Sequence, residues 1–175
     1  MDAGDLRELQ RPLKERYRAD PDAAATPVTA EGRLDGEGIS CTVDTAAGPV
    51  VAGLHPATGG DGGQACSGDM LLQALVACAG VTLNSVATAL SVPLRGARLR
   101  AEAAFDARGT LGVSREAPVG LTDICLMIDV DTDADDATLN RLAELTERYC
   151  VVAQSLLEPP RMLVRRAEPA AVTTG

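Results

Sequence analysis

The segment from Met70 to Leu90 places the tightest limit on what this chain can fold into. Met70, Leu71, Leu72, Ala74, Leu75, Val76, Ala77, Val81, Leu83, Val86 and Leu90 fit a helix whose apolar residues cover nearly every face. Such a helix belongs at the centre of a protein, with Ser67 or Asp69 available to cap its start and Pro93 beyond its end. Its longest uninterrupted apolar stretch, Ala74 to Leu83, is far short of the roughly 20 residues that cross a bilayer, so a core helix is expected rather than a membrane span.

The elements around it follow from periodicity. Leu6, Leu9, Leu13 and Tyr17 mark an amphipathic helix interrupted or restarted at Pro12, and a Pro, Asp and Ala linker follows from Asp20 to Pro27. Ile39, Cys41 and Val43 alternate as a strand, with Pro49 to Leu54 as its returning partner. Between His55 and Gly68 lies a glycine-rich stretch that reads as a long surface loop, in which GGDGG is a flexible lid.

Ala97 to Ala107 alternates apolar with charged residues, and Ile124, Leu126, Ile128 and Val130 share one face of a second strand, so the two are natural antiparallel neighbours. Acidic residues from Asp133 to Asp136 open a last helix, striped by Leu139, Leu142, Leu145, Tyr149, Val152 and Leu156 and ended by Pro159 and Pro160. A short edge strand over Met162 to Arg166 closes the series. The expected class is α+β, an antiparallel sheet packed on two long helices. The expected organisation is a helical extension and linker over 1–27, one domain over 28–167 and a flexible tail over 168–175.

Composition narrows the function. A chain of 175 residues suits one domain with a sizeable core. Only 2% of its residues are aromatic and Trp is absent, which disfavours a base-stacking surface. A net charge of −9 without a dense Lys/Arg cluster repels phosphate backbones and anionic lipid, so neither nucleic acid nor membrane partners are expected. The five cysteines are an odd number without close pairing, which fits reduced thiols in a cytoplasmic protein better than a secreted disulfide framework. With one His, His55, and no CxxC pair, neither a Cys/His metal centre nor any other cofactor is expected.

Taken singly, the cysteines are weak signals. Cys78 in the apolar helix and Cys150 at the edge of the last helical stripe both fit the ordinary role of a buried Cys as a small hydrophobe. Cys41 and Cys125 alternate within strands as packing residues, whereas Cys66 falls in the loop where its thiol is expected to be exposed. His55 at the loop entrance is either a solvated side chain or an acid/base partner for a thiol.

The order of SGDMLLQALVACAG, two strands, the turn SREAP and LTERYCVVAQSL resembles the OsmC/Ohr family over roughly Ala30 to Leu157. Where hydroperoxide reductases of that family carry Pro-Glu before the Cys helix, this chain reads Ser67-Gly68-Asp69, so it looks closer to the broader OsmC-like branch. The resemblance implies an intertwined homodimer with two long central helices wrapped by sheets and sites at the subunit interface. It places the family's two reactive cysteines on Cys78 and Cys150, 72 positions apart (150 − 78). Cys78 is then the peroxidatic thiol and Cys150 the resolving one, with a small-molecule oxidant as substrate and a dithiol, of lipoyl type, as reductant. A thiolate among aliphatic residues needs stabilisation, and the resemblance assigns that to a cation, Arg33, with Asp69 in the carboxylate position. Asp69 precedes Cys78 by nine residues, about 13 Å along a helix, so it acts only through Arg33 or across the dimer. Two rival readings keep the fold: single-thiol sulfur or acyl transfer with His55 as base, and a binding module for a small apolar ligand.

Overall fold

The computed structural model describes residues 1–34, 36 and 38–167. The tail from residue 168, read from the sequence as flexible, lies outside the described residues. The elements in chain order are α1 (Ala3–Ala19), β1 (Glu31–Arg33), β2 (Ser40–Thr45), β3 (Gly48–Gly53), β4 (Ala65–Cys66), α2 (Ser67–Ala89), β5 (Gly96–Ala104), α3 (Ala107–Thr110), β6 (Thr122–Asp131), α4 (Asp136–Tyr149), α5 (Val151–Gln154) and β7 (Arg161–Arg166). The class is α+β, as the sequence pattern implies. The chain divides into two compact units, one of residues 1–15, 74–103 and 123 onward, the other of residues 16–73 and 104–122.

The first unit holds the main core. Leu75, Ala79, Leu83, Val86 and Ala87 from α2 meet Leu126, Ile128 and Val130 from β6 and Leu139, Leu142, Cys150 and Ala153 from the last helical region. The β6 residues share one face because their spacing is two, and the α2 residues share one because theirs is three and four. The strand order is β5-β6-β7. The Arg95 N–H donates to Asp131 O at one end of β5 and β6, and the Thr122 hydroxyl to Ala104 O at the other, so these strands run oppositely. β7, by contrast, pairs parallel to β6, from Cys125 opposite Arg161 to Val130 opposite Arg166. The intervening helices make this connection a βαβ crossover, which returns a strand in the same direction. Asp135 caps α4, its Oδ1 accepting from the Thr138 N–H at 2.8 Å.

The other unit contains a four-stranded sheet ordered β1-β2-β3-β4, with β2 and β3 as the expected hairpin. Three local readings change. Residues 55–66 are not one long loop: a 3₁₀ turn covers Pro56–Thr58, and Ala65–Cys66 pairs parallel to β3. Cys66 is therefore half-buried in a strand, not exposed in a loop. Helix α1 runs unbroken through Pro12, and no residue of α1 is buried, so the bond that Pro12 cannot make to the Glu8 carbonyl is lost at an exposed residue.

Helix α2 carries an asymmetry that the sequence conceals. At 23 residues it is long and apolar enough to cross a membrane by length and composition, more than its longest unbroken stretch suggested. One face packs in the core as just described. The opposite one leaves Ala74 and Ala77 exposed and Val81 74% exposed.

Candidate active site

Cys78 sits mid-way along α2, half-buried, with Thr82 one turn further on. Cys150 comes from an interruption. The sequence stripe predicts one helix through Leu156, but the helix leaves its path at Cys150, where φ is −75° and ψ 104°, and restarts as α5. Val151 and Val152 follow the break, and β-branched residues are weak helix formers. The ends on either side are tied together: the Gln154 N–H donates to Cys150 O at 3.0 Å, and the Gln154 side-chain amide donates to Glu147 O at 2.9 Å.

The interruption exposes main-chain N–H groups at the start of α5, and two thiols use them. The N–H groups of Val152 and Val151, the Cys150 thiol and the Thr82 hydroxyl lie near the Cys78 sulfur and favour its charged form. Burial opposes ionisation of Cys78, but these donors outweigh it and hold the Cys78 thiol below its ordinary value. Cys150 is fully buried. Burial pushes its thiol up; the N–H groups of Ala153 and Val152 offset this only partly, and the adjacent Cys78 adds to it. The pair is thus polarised: Cys78 is the sulfur that ionises more readily, and Cys150 the one that ionises less readily. Both are free thiols.

One turn before Cys150, on the same helix, Thr146 is completely buried. Its hydroxyl has no hydrogen-bond partner among the described residues. Leaving a buried hydroxyl unpaired costs about 1–3 kcal/mol.

The remaining sequence candidates are placed as follows. Arg33 stands on β1 and pairs with Asp44 of β2 at 3.1 Å, a diagonal cross-strand contact, since Arg33 is directly opposite Thr42. Asp69 lies in the first turn of α2, where a carboxylate complements the exposed N–H groups. His55 Nδ1 accepts from the Ala57 N–H at 3.0 Å, and its ring meets Phe105 edge-on at 5.1 Å. That bond uses the Nδ1 lone pair and leaves the neutral ring's proton on Nε2, so His55 acts as a base only by giving up its cap. Cys41 is a half-buried residue of β2, and Cys125 is buried, with the Arg161 guanidinium 3.6 Å from its sulfur. No group of three His, Cys, Asp or Glu side chains among the described residues is arranged to hold a metal ion.

Sequence reasoning joined Cys78 to Cys150 only through the family resemblance. It set Thr82 on the face of Cys78 without giving it a role, and it missed Thr146 and the main-chain N–H groups. A Thr at four residues from each Cys was the available signal, since that spacing puts both on one helical face.

The fold matches solved structures along most of their length. An OsmC-like protein from Mycoplasma pneumoniae superposes with a TM-score of 0.64 at 13% identity, covering 81% of this chain and 96% of that one. An organic hydroperoxide resistance protein OsmC from Legionella pneumophila gives 0.63 at 15%, covering 82% and 100%. The organic hydroperoxide resistance protein OhrB of Bacillus subtilis gives 0.55 at 15%, covering 81% and 98%. At these identities the likeness concerns the fold alone. No curated protein matches the sequence. The architecture is therefore the OsmC-like one. A family model described as OsmC-like protein matches residues 60–164, and the chain belongs to that family.

Proposed function

We propose that this protein is a thiol peroxidase that reduces organic hydroperoxides or related small oxidants through Cys78 and Cys150. The observation that carries the reading is the pair itself, a half-buried free thiol whose ionisation is favoured beside a fully buried free thiol whose ionisation is opposed. Membership of the OsmC-like family, and the naming of two structural neighbours as organic hydroperoxide resistance proteins, support the same chemistry.

In the first step the Cys78 thiolate attacks the outer peroxide oxygen, the O–O bond breaks, and the alcohol leaves with the peroxide's proton. Cys78 becomes a sulfenate, protonated to sulfenic acid. Cys150 then displaces hydroxide from that sulfur, forming a disulfide and water, and an external dithiol of lipoyl type reduces the disulfide by exchange. No cofactor takes part. Arg33, acting with Asp69, supplies a positive charge that further favours the Cys78 anion. The chain works as a cytoplasmic homodimer, without nucleic acid or membrane partners. The uncovered side of α2, with Ala74, Ala77 and Val81, is the apolar surface a second copy would bury.

Turnover of the reduced protein with an organic hydroperoxide and a dithiol tests the assignment. Cys78→Ser abolishes the fast reaction. Cys150→Ser stops at the Cys78 sulfenic acid and drifts to sulfinic acid under excess oxidant. A Cys150→Ser variant that turns over as well as the parent overturns the two-cysteine reading and leaves single-thiol chemistry in its place.

A further inference from the structure

Each cysteine of the pair has a threonine one helical turn away. Thr82, four residues after Cys78, lies on the same helical face and favours the charged form of the Cys78 sulfur. Thr146, four residues before Cys150, is sealed from solvent with its hydroxyl unengaged among the described residues. A mid-helix Thr ordinarily bonds the carbonyl four residues back, here that of Leu142, and this one does not. Buried hydroxyls are seldom left idle.

The geometry places this hydroxyl beside the second reacting sulfur. The Cys150 N–H donates to Thr146 O at 2.9 Å, an ordinary helical bond. The Cys150 φ of −75° is still helical, and only its ψ departs. Its Cβ therefore keeps the helical position, so the Thr146 and Cys150 side chains stand on one buried face with Cβ atoms about 5–6 Å apart. A Thr in a helix has two accessible χ1 wells, so a rotation of one side chain brings the hydroxyl onto the sulfur.

We propose that the Thr146 hydroxyl is the hydrogen-bond donor that receives the Cys150 sulfur as it turns anionic and attacks oxidised Cys78. This rests on the two-cysteine reading above. Of the resting pair, Cys78 is the thiol that ionises more readily, favoured by the groups around it. Once Cys78 is a sulfenic acid, the charge has to move to Cys150. The Cys150 S–H proton passes to the departing hydroxide, giving water. The Cys150 sulfur is oxidised as the S–S bond forms, and the Cys78 sulfur is reduced as its S–O bond breaks. Thr146 keeps its own proton and only donates the hydrogen bond. Its donor is unused in the ground state and engaged in the attack, so the interaction lowers the barrier rather than stabilising the reduced enzyme. Burial and the neighbouring Cys78 make Cys150 the harder thiol to ionise, which is why this step has most to gain.

Rapid mixing of the reduced protein with an organic hydroperoxide separates the two steps. Sulfenic acid at Cys78 is trapped with a dimedone-type probe, and the Cys78–Cys150 disulfide is followed by quench and peptide mapping. Thr146→Val is expected to form sulfenic acid at the parent's rate and to form the disulfide about tenfold more slowly, the effect of one hydrogen bond to a charged group. Thr146→Ser is expected to restore the disulfide rate. A Thr146→Val variant that makes the disulfide at the parent's rate overturns the proposal, as does a Thr146→Ser variant as slow as Thr146→Val. Equal slowing of both steps assigns Thr146 a packing role and also overturns it. A parent protein that forms no Cys78–Cys150 disulfide overturns the two-cysteine reading itself, an outcome visible before any Thr146 variant is made.

Discussion

Replacing Val151 with proline exchanges an N–H near the Cys78 sulfur for a ring methylene that cannot donate. Val151 is the first residue of α5, the helical position where proline is best tolerated, because the N–H there has no partner within the helix. The preceding Cys150, at φ −75° and ψ 104°, already has the extended backbone that a residue before proline adopts. The Val151 side chain is 71% exposed, so scarcely any packing is lost. A hydrogen bond to a charged group contributes about 1.5–3 kcal/mol. Because Val152, Cys150 and Thr82 still donate, the low end applies, and about 1.4 kcal/mol is a tenfold fall in Cys78 thiolate at neutral pH.

The assay is the rate of iodoacetamide alkylation at Cys78, followed by mass spectrometry of its peptide across pH. Only the thiolate reacts. Val151→Pro should slow alkylation about tenfold near pH 7, move the profile toward alkaline pH and converge with the parent where both are fully ionised. Val151→Ala keeps the N–H and should match the parent. If Val151→Pro alkylates with the parent's rate and profile, the main-chain donors do not hold the thiolate, and the polarisation of the pair has another cause.

In the parent, the Cys78 profile should rise at lower pH than that of an ordinary thiol and the Cys150 profile at higher pH, because one is lowered and the other raised; site-resolved alkylation reads both, and the reverse order contradicts the assignment of roles. Arg33→Ala should shift the Cys78 profile toward alkaline pH with little effect on folding, since a half-exposed pair such as Arg33–Asp44 contributes only about 0.2–1 kcal/mol; an unshifted profile removes Arg33 from the site. Thr146→Val should be more stable than the parent by about 1 kcal/mol, because it deletes an unpaired buried hydroxyl, and thermal unfolding should show a rise of about 2–4 °C. Leu83→Ala, in the core, should cost about 2–5 kcal/mol in denaturant unfolding, whereas Val81→Arg on the uncovered face should leave folding intact and shift sedimentation toward the monomer.

How much of this was legible in the sequence depended on what each signal reports. Periodicity found α2, the strands β5 and β6 and the stripe of α4 because it follows side chains facing a core. It carried that stripe straight through Cys150, since Val152 and Leu156 remain in phase after the break, and so hid the main-chain N–H groups that the break frees. Periodicity is equally silent on strand direction; the parallel pairing of β7 follows from the helices that precede it. β4 is two residues long, too short for any alternation to appear, and its pairing is what half-buries Cys66. The burial of Thr146 was foreshadowed by its place between Leu142 and Cys150 on one face, but whether its hydroxyl finds a partner depends on the packing around it. The sequence demanded a cation for the Cys78 thiolate because it could see only side chains. Four donors, two from the main chain, answer much of that demand.

Adding one equivalent of an organic hydroperoxide to the fully reduced protein, then counting thiols and mapping peptides, tests the two-cysteine chemistry most directly. The polarised pair predicts that each chain loses two thiols and gains one disulfide, joining the peptide of Cys78 to that of Cys150. Loss of a single thiol with Cys150 still reduced, or a disulfide formed through Cys66, contradicts it.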